Sequence, residues 1–262
     1  MTIVVFDIDG VVRDVGGSYR RALADTVEHY TNGAYRPSQQ DIDHLKAEGI
    51  WNNDWEASRE MIRRYYAAQG IPDYAIDYTE LVAWFQRRYR GPDPHNWTGY
   101  ICQEPLLMSA AYGETLTNAG ILWGFFSGAT RASATYVLEN RIGLQSPVLV
   151  AMEDAPGKPD PTGLFMAVEQ ILARHSAQAS DHAVIYAGDT VADMHTVQKA
   201  RALDPNRRWI AVGVLPPHVL EDGDRCPTYR QGLIQAGAQS VVDRIDALTP
   251  AYIAQLLSHS NT

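Results

Sequence analysis

A chain of 262 residues can bury a substantial core, and it has room for one large domain or for a domain carrying an insertion. With 22 Lys+Arg against 31 Asp+Glu the formal net charge is −9, and no basic run with interleaved aromatics occurs, so nucleic acid is not expected as a partner. An acidic protein that handles an anionic substrate needs a local cation, either a metal or a well-placed lysine, because its mean field repels that substrate.

Cys102 and Cys226 are the only cysteines, and neither has a metal-ligand or Cys-x-x-Cys spacing, so both are expected to be buried thiols. The first strand begins within two residues of Met1, which leaves no basic or apolar region for an export signal. No apolar run approaches the ~20 residues of a membrane span. The expected setting is a reducing cytoplasm, with no membrane attachment, and the expected state is a monomer or small homo-oligomer.

In chain order, Ile3-Val4-Val5-Phe6 reads as a strand buried on both faces of a parallel sheet, stopped by Asp7. Asp7 and Asp9, two residues apart on extended chain, point to one side, and Gly10 lets the backbone turn away. From Ser18, a candidate N-cap, the pattern becomes helical: Tyr19 to Tyr30, then Pro37-Ser38 to Ala47, Asn53 to Ala68 and Ile76 to Tyr89. Gly91-Pro92-Asp93-Pro94 breaks this series. Residues 17–97 thus form an all-helical insertion with a joint at each end, and hinges there would let it move as a lid.

Beyond it strands and helices alternate, the pattern of a doubly wound α/β sheet. Helices are expected at Ala110 to Asn118, Thr130 to Arg141, Pro161 to His175, Val191 to Ala202 and Tyr229 to Ala236, with a terminal helix after them. Strands are expected at Ile121 to Phe126, Val148 to Met152, Ala183 to Ala187, Trp209 to Leu215 and Ser240 to Val242. The first strand joins this sheet, so the Rossmann-like core comprises residues 1–16 and 98–262.

In such sheets ligands bind beyond the C-terminal ends of the strands. Four strand ends carry polar residues. The first carries Asp7 and Asp9, although Asp-x-Asp-Gly also suits a plain turn closed by an Asx hydrogen bond. At the second, Ser127-Gly128-Ala129-Thr130 offers a hydroxyl and backbone amides to a phosphate, or simply caps a helix. At the third, Asp160 and Pro161 are explained by helix initiation, whereas Lys158 is not and can supply the cation that the net charge demands. The fourth carries Asp189 and, one turn on, Asp193.

These motifs in this order, Asp-x-Asp-Gly-Val, a Ser after an apolar strand, Gly-Lys-Pro-x-Pro and Gly-Asp-x-x-x-Asp, resemble the signature of the haloacid dehalogenase superfamily along the whole chain. The helical insertion resembles the cap of the phosphoglycolate-phosphatase-like branch, and Ile50-Trp51-Asn52-Asn53-Asp54-Trp55 resembles a cyanobacterial and archaeal group within it. The resemblance implies a phosphatase acting on a small phosphorylated metabolite, with Asp7 as nucleophile and Asp9 as general acid and base. It implies Mg²⁺ on Asp7, the Asp9 backbone carbonyl and Asp189, with Asp193 in or next to the coordination shell. Ser127 and Gly128 would bind phosphoryl oxygens and Lys158 would neutralise their charge. An acid at Asp9 argues against dehalogenase or phosphonate-cleaving relatives, which are expected to lack it.

The family's substrate choice resides mostly in the cap. Trp51, Asn52 and Asn53 are candidates to stack on or hydrogen-bond a sugar or polyol, though Asn53 with Glu56 also has capping-box spacing. Arg20, near the first joint, is a candidate for a second anionic group, though it also suits a solvated surface, and Arg131, in the helix after Ser127, is a candidate to approach the phosphate site. A phosphomutase would use the same Asp7 and Asp9, and a non-enzymatic phosphometabolite-binding module would not need Asp7.

Overall fold

The computed structural model describes residues 2–51, 53–175 and 182–259. The chain divides into two compact units: Met1–Arg13 with Leu106–Thr262, and Asp14–Pro105. The first unit holds one sheet of six strands, β1 (Thr2–Phe6), β2 (Ile121–Phe126), β3 (Leu149–Val150), β4 (Ala183–Gly188), β5 (Trp209–Val214) and β6 (Ser240–Val242). Their order is β3-β2-β1-β4-β5-β6, with every neighbouring pair parallel. This is a doubly wound α/β arrangement, and its direction of winding reverses between β1 and β4.

The first strand is central because its sequence permits nothing else: Ile3, Val4, Val5 and Phe6 are all fully buried, so both faces must be covered. Register pairs Phe6 with Phe125 on one side and Ala187 on the other.

The Asp14–Pro105 unit is helical, with α1 (Tyr19–Tyr30), α2 (Gln39–Lys46), α3 (Asp54–Ala68) and α4 (Tyr78–Tyr89). Leu23 and Val27, Ile42 and Leu45, Met61 and Ile62, and Leu81 and Phe85 bury one stripe from each helix. Ser38 and Asp41 close a capping box on α2, and the Asn53 side chain caps α3. Ser18 stands at the start of α1 but does not cap it, because its hydroxyl donates to the Val15 carbonyl instead.

In the sheet-bearing unit the helices are α5 (Ala110–Asn118), α6 (Arg131–Thr135), α7 (Thr162–Arg174), α8 (Val191–Leu203), the short α9 (Pro217–Leu220), α10 (Cys226–Gln235) and α11 (Pro250–His259). One face of the sheet, with Ile3, Val5, Val184 and Tyr186, packs against Leu164, Val168 and Ile171 of α7 and Met194 and Val197 of α8. On the other face Phe6 meets the ring of Tyr112 of α5, whose hydroxyl donates to the Leu248 carbonyl at 2.9 Å.

Other expectations need correcting as well. The helix expected over Thr130 to Arg141 is α-helical for five residues and then widens into a π-type turn over Tyr136–Arg141. The third strand keeps only two ladder residues. Cys102 and Cys226 are half-buried, not buried.

Candidate active site

The backbone N–H of Asp7 donates to the Ala187 carbonyl at 2.8 Å, so the ladder continues one residue past β1. Given the register, Asp7, Ser127 and Asp189 leave three adjacent strands within a residue of the same level, at the winding reversal. Gly10 is required here twice over. Its φ is +76°, and a β-carbon on it would fall 2.1 Å from Asp189 Oδ2.

Lys158 enters on the loop after β3 and is buried. Its Nζ lies 2.9 Å from Asp7 Oδ1 and 2.6 Å from Asp193 Oδ1, between the rings of Phe126 and Tyr186. Burial pulls the ammonium down, but Asp193 and Asp7 outweigh it and hold Lys158 above its ordinary value. Asp7 goes the other way: burial, reinforced by Asp193 and Asp9 and only partly offset by Lys158, raises it from 3.8 to about 7. Asp193 is held below its ordinary value, because Lys158 and Thr190 together overcome its burial.

Asp193 is also the third helical residue of α8 and forms a capping box with Thr190. Its Oδ2 accepts from the Thr190 N–H at 2.9 Å and hydroxyl at 2.6 Å, while Oδ1 accepts from Lys158 and from the Tyr186 hydroxyl at 3.0 Å. Four hydrogen bonds fill a carboxylate. Asp7 Oδ1 accepts from the Ile8 N–H at 2.8 Å as well as from Lys158.

Ligand oxygens of Asp7, Asp189 and Asp193 lie within 4.8 Å of one another, all buried. Three carboxylates against one ammonium leave excess negative charge in a desolvated place, which a hard divalent cation such as Mg²⁺ would balance. With Asp193 already saturated, Asp7 and Asp189 are the two side chains best placed to hold it.

The remaining predicted residues divide. Buried Ser127 lies beside this cluster at the end of β2, where its Oγ accepts from the Ala129 N–H at 3.1 Å, and Gly128 follows it. The Arg131 guanidinium pairs with Asp154 and its backbone N–H donates to Glu153 Oε2 at 2.8 Å, so it is engaged along the loop after β3. In the helical unit Arg20 is buried and tied to Gln39, through Nε at 2.6 Å, and to Asp43, joining α1 to α2. Trp51 donates its indole N–H to Glu48 at 2.7 Å, and Asn53 spends its side-chain oxygen on the N–H groups of Trp55 and Glu56. Asn52 lies outside the described residues.

Two residues at the site were missed from sequence. Tyr186 sits mid-strand and reads as an apolar aromatic, yet its hydroxyl lies 3.0 Å from Asp193 and 3.1 Å from the Phe126 carbonyl. Arg13 reads as a loop cation, yet its Nε and Nη2 lie 2.6 and 2.5 Å from Asp9 Oδ1. The available signal was a cation straight after Val11-Val12, four residues past Asp9.

The chain is similar to several known proteins. A protein named imidazoleglycerol-phosphate dehydratase from Phytophthora nicotianae is 28% identical over 258 residues, covering 94% of this chain and 50% of its own; the chain thus spans about half the length of that relative. Among solved structures, a phosphonoacetaldehyde hydrolase-like protein from Oleispira antarctica shares the fold at TM-score 0.66 and 16% identity, covering 97% of this chain and 92% of its own. An archaeal β-phosphoglucomutase from Pyrococcus sp. strain ST 04 does so at TM-score 0.61 and 11% identity, covering 98% and 99%. A family profile matches residues 1–201, a span that takes in β1 through most of α8 and with them all the acids and the lysine of the cluster. The chain therefore belongs to the haloacid dehalogenase-like hydrolases.

Proposed function

We propose that the protein is a Mg²⁺-dependent phosphatase of a small phosphomonoester, working through an aspartyl-phosphate on Asp7. The observation that carries this reading is the buried cluster of Asp7, Asp189 and Asp193 about Lys158, at the winding reversal of the sheet. Mg²⁺, held by Asp7 and Asp189, would neutralise phosphoryl charge and let an anionic ester approach an acidic protein.

Asp7 attacks phosphorus through a carboxylate oxygen, and the bond from phosphorus to the ester oxygen breaks. Asp9 gives that leaving oxygen a proton. In the second half Asp9, now a carboxylate, takes a proton from water as the water oxygen attacks the same phosphorus. The bond to Asp7 then breaks and inorganic phosphate leaves. Lys158, kept charged by its two carboxylates, offsets the negative charge of the phosphoryl oxygens, and Ser127 with the amides after it supplies hydrogen bonds to them. Lys158 also keeps Asp7 available as an anion, against the burial that favours its neutral form.

The test is phosphate release from a panel of phosphomonoesters, with and without Mg²⁺, comparing the native protein with Asp7→Asn. Sugar phosphates and phosphoglycolate-like acids head the panel. Imidazole-bearing phosphate esters join it because the relative that contains this region is named for one. Release confined to one class, and lost in the variant, supports the reading. Exchange between phosphosugar isomers without net release replaces it with a phosphomutase, and retention of most activity in Asp7→Asn removes the mechanism.

A further inference from the structure

Arg13 is fully buried, and it is the largest residue so thoroughly removed from water among the described residues. A charge in that position must be met by an anion. It meets Asp9, the acid to which the reading above gives both proton transfers, and it does so with two nitrogens on a single oxygen: Nε at 2.6 Å and Nη2 at 2.5 Å from Oδ1.

The backbone makes this pairing obligatory. The N–H groups of Val12 and Arg13 donate to the Ile8 carbonyl at 2.8 and 3.2 Å, and the Gly10 N–H donates to the Arg13 carbonyl at 2.9 Å. The chain thus closes a small loop that returns Arg13 to the side of Asp9. From outside, the N–H groups of Leu107 and Met108 donate to the Val12 carbonyl at 2.8 and 3.1 Å, and Arg13 bridges to Leu106. With its main chain fixed on both sides and its side chain enclosed, Arg13 has little freedom to follow Asp9 elsewhere.

We propose that Arg13 is a positioning residue for Asp9, holding one carboxylate oxygen so that the other is directed to the leaving oxygen and, later, to water. The proposal rests on the phosphatase reading and adds to it a group that touches no reactant. A guanidinium suits the task better than an ammonium, because its rigid fork brings two nitrogens to bear on Oδ1 and holds that oxygen in place.

A double-mutant cycle on the full chain tests this, using p-nitrophenyl phosphate and the best alkyl phosphomonoester from the panel. Arg13→Met is expected to lower kcat by about 10- to 100-fold on the alkyl ester, much less on the aryl ester, and to leave KM nearly unchanged. In an Asp9→Asn background the same substitution should cost nothing further, and Arg13→Lys should recover part of the rate. An equal loss on both esters, an undiminished loss in the Asp9→Asn background, or no loss at all assigns Arg13 to the fold alone. Circular dichroism and thermal melting check each variant, and Arg13→Gln takes the place of Arg13→Met if the latter does not fold. If Asp9→Asn itself loses equally on both esters, Asp9 is not the acid and the Arg13 proposal falls with it. Loss of leaving-group selectivity in the Arg13 variants alone leaves the phosphatase reading standing.

Discussion

Asp7 is costly to bury, and that cost has a sign that can be measured. Its carboxyl titrates near 3.8 when the chain is unfolded and near 7 when folded. Below the lower value both states hold the proton and nothing is lost. Between the two values only the unfolded chain releases it, so stability falls as pH rises, and the loss is complete above about 7. Asp7→Asn lacks this burden. Its melting temperature, measured without divalent metal, should exceed the native value by a margin that grows from pH 4 to pH 7 and then levels off. A margin independent of pH would show that Asp7 is not a high-titrating carboxyl. Mg²⁺ should raise the native melting temperature and leave the variant's nearly unmoved, since only a site in the folded state gains by mass action. Lys158→Met should do the opposite of Asp7→Asn: it strands Asp7 and Asp193 together in the interior, at a cost of about 3–5 kcal/mol, and a melting curve unchanged at pH 7 would contradict the contacts seen at Nζ. Asp9→Asn should lose roughly 10²- to 10⁴-fold in rate, more on alkyl than on aryl esters, and should melt lower than the native protein, because it takes the Asp9 carboxylate away from the buried Arg13 guanidinium. Asp7 and Asp189 were legible in the sequence because each stands where an apolar strand run ends, Asp9 and Asp193 by their spacing from these two, and Lys158 because helix initiation leaves it unexplained. Tyr186 was not, because one hydroxyl on a β-favouring aromatic leaves no mark on the hydrophobic pattern, and its partner lies on a helix the pattern cannot orient.

At the scale of elements, the turn after β1 and the start of α8 are built to the same end. Gly10→Ala puts a methyl group where the Asp189 carboxylate lies and forces an unfavourable φ, so it should lower stability and weaken Mg²⁺ binding together. Isothermal titration with Mg²⁺ checks this, and unchanged affinity would mean that Asp189 does not hold the ion. Helix starts were readable at Asn53 and Ser38, whose side chains cap their own helices. At α7 the boundary moved by one residue. Asp160 was expected as the cap of α7, but the helix begins at Thr162 and Asp160 accepts from its N–H at 2.9 Å from one residue further out. The widening after α6 was unreadable for another reason: Tyr136–Arg141 has ordinary helical composition, and a π-type turn differs from an α-turn by the carbonyl each N–H selects, which no residue type announces.

Over the whole molecule the α/β class followed from the alternation of strands and helices in the second half of the chain, and the discontinuity of the core from a fully buried strand type placed before a long helical stretch. The order of the strands did not follow, because β1 has no polar face to say which neighbours it takes. The helical unit leaves and re-enters the sheet-bearing unit at Arg13 and Leu106, which bridge one another. Replacing residues 14–105 with a linker of two or three residues should therefore leave the sheet able to form, as judged by circular dichroism and a cooperative melt; a molten product would show that the helical unit supplies part of the core. The same discontinuity bears on synthesis. β1 leaves the ribosome before either of its partners, the first of which begins at Ile121 and the second at Ala183. At ordinary elongation rates of ~5–20 residues per second the wait for the first is on the order of 10 s. For that interval Ile3-Val4-Val5-Phe6 is an apolar strand with two open edges, and it is the segment of the nascent chain that a holdase chaperone would be expected to cover.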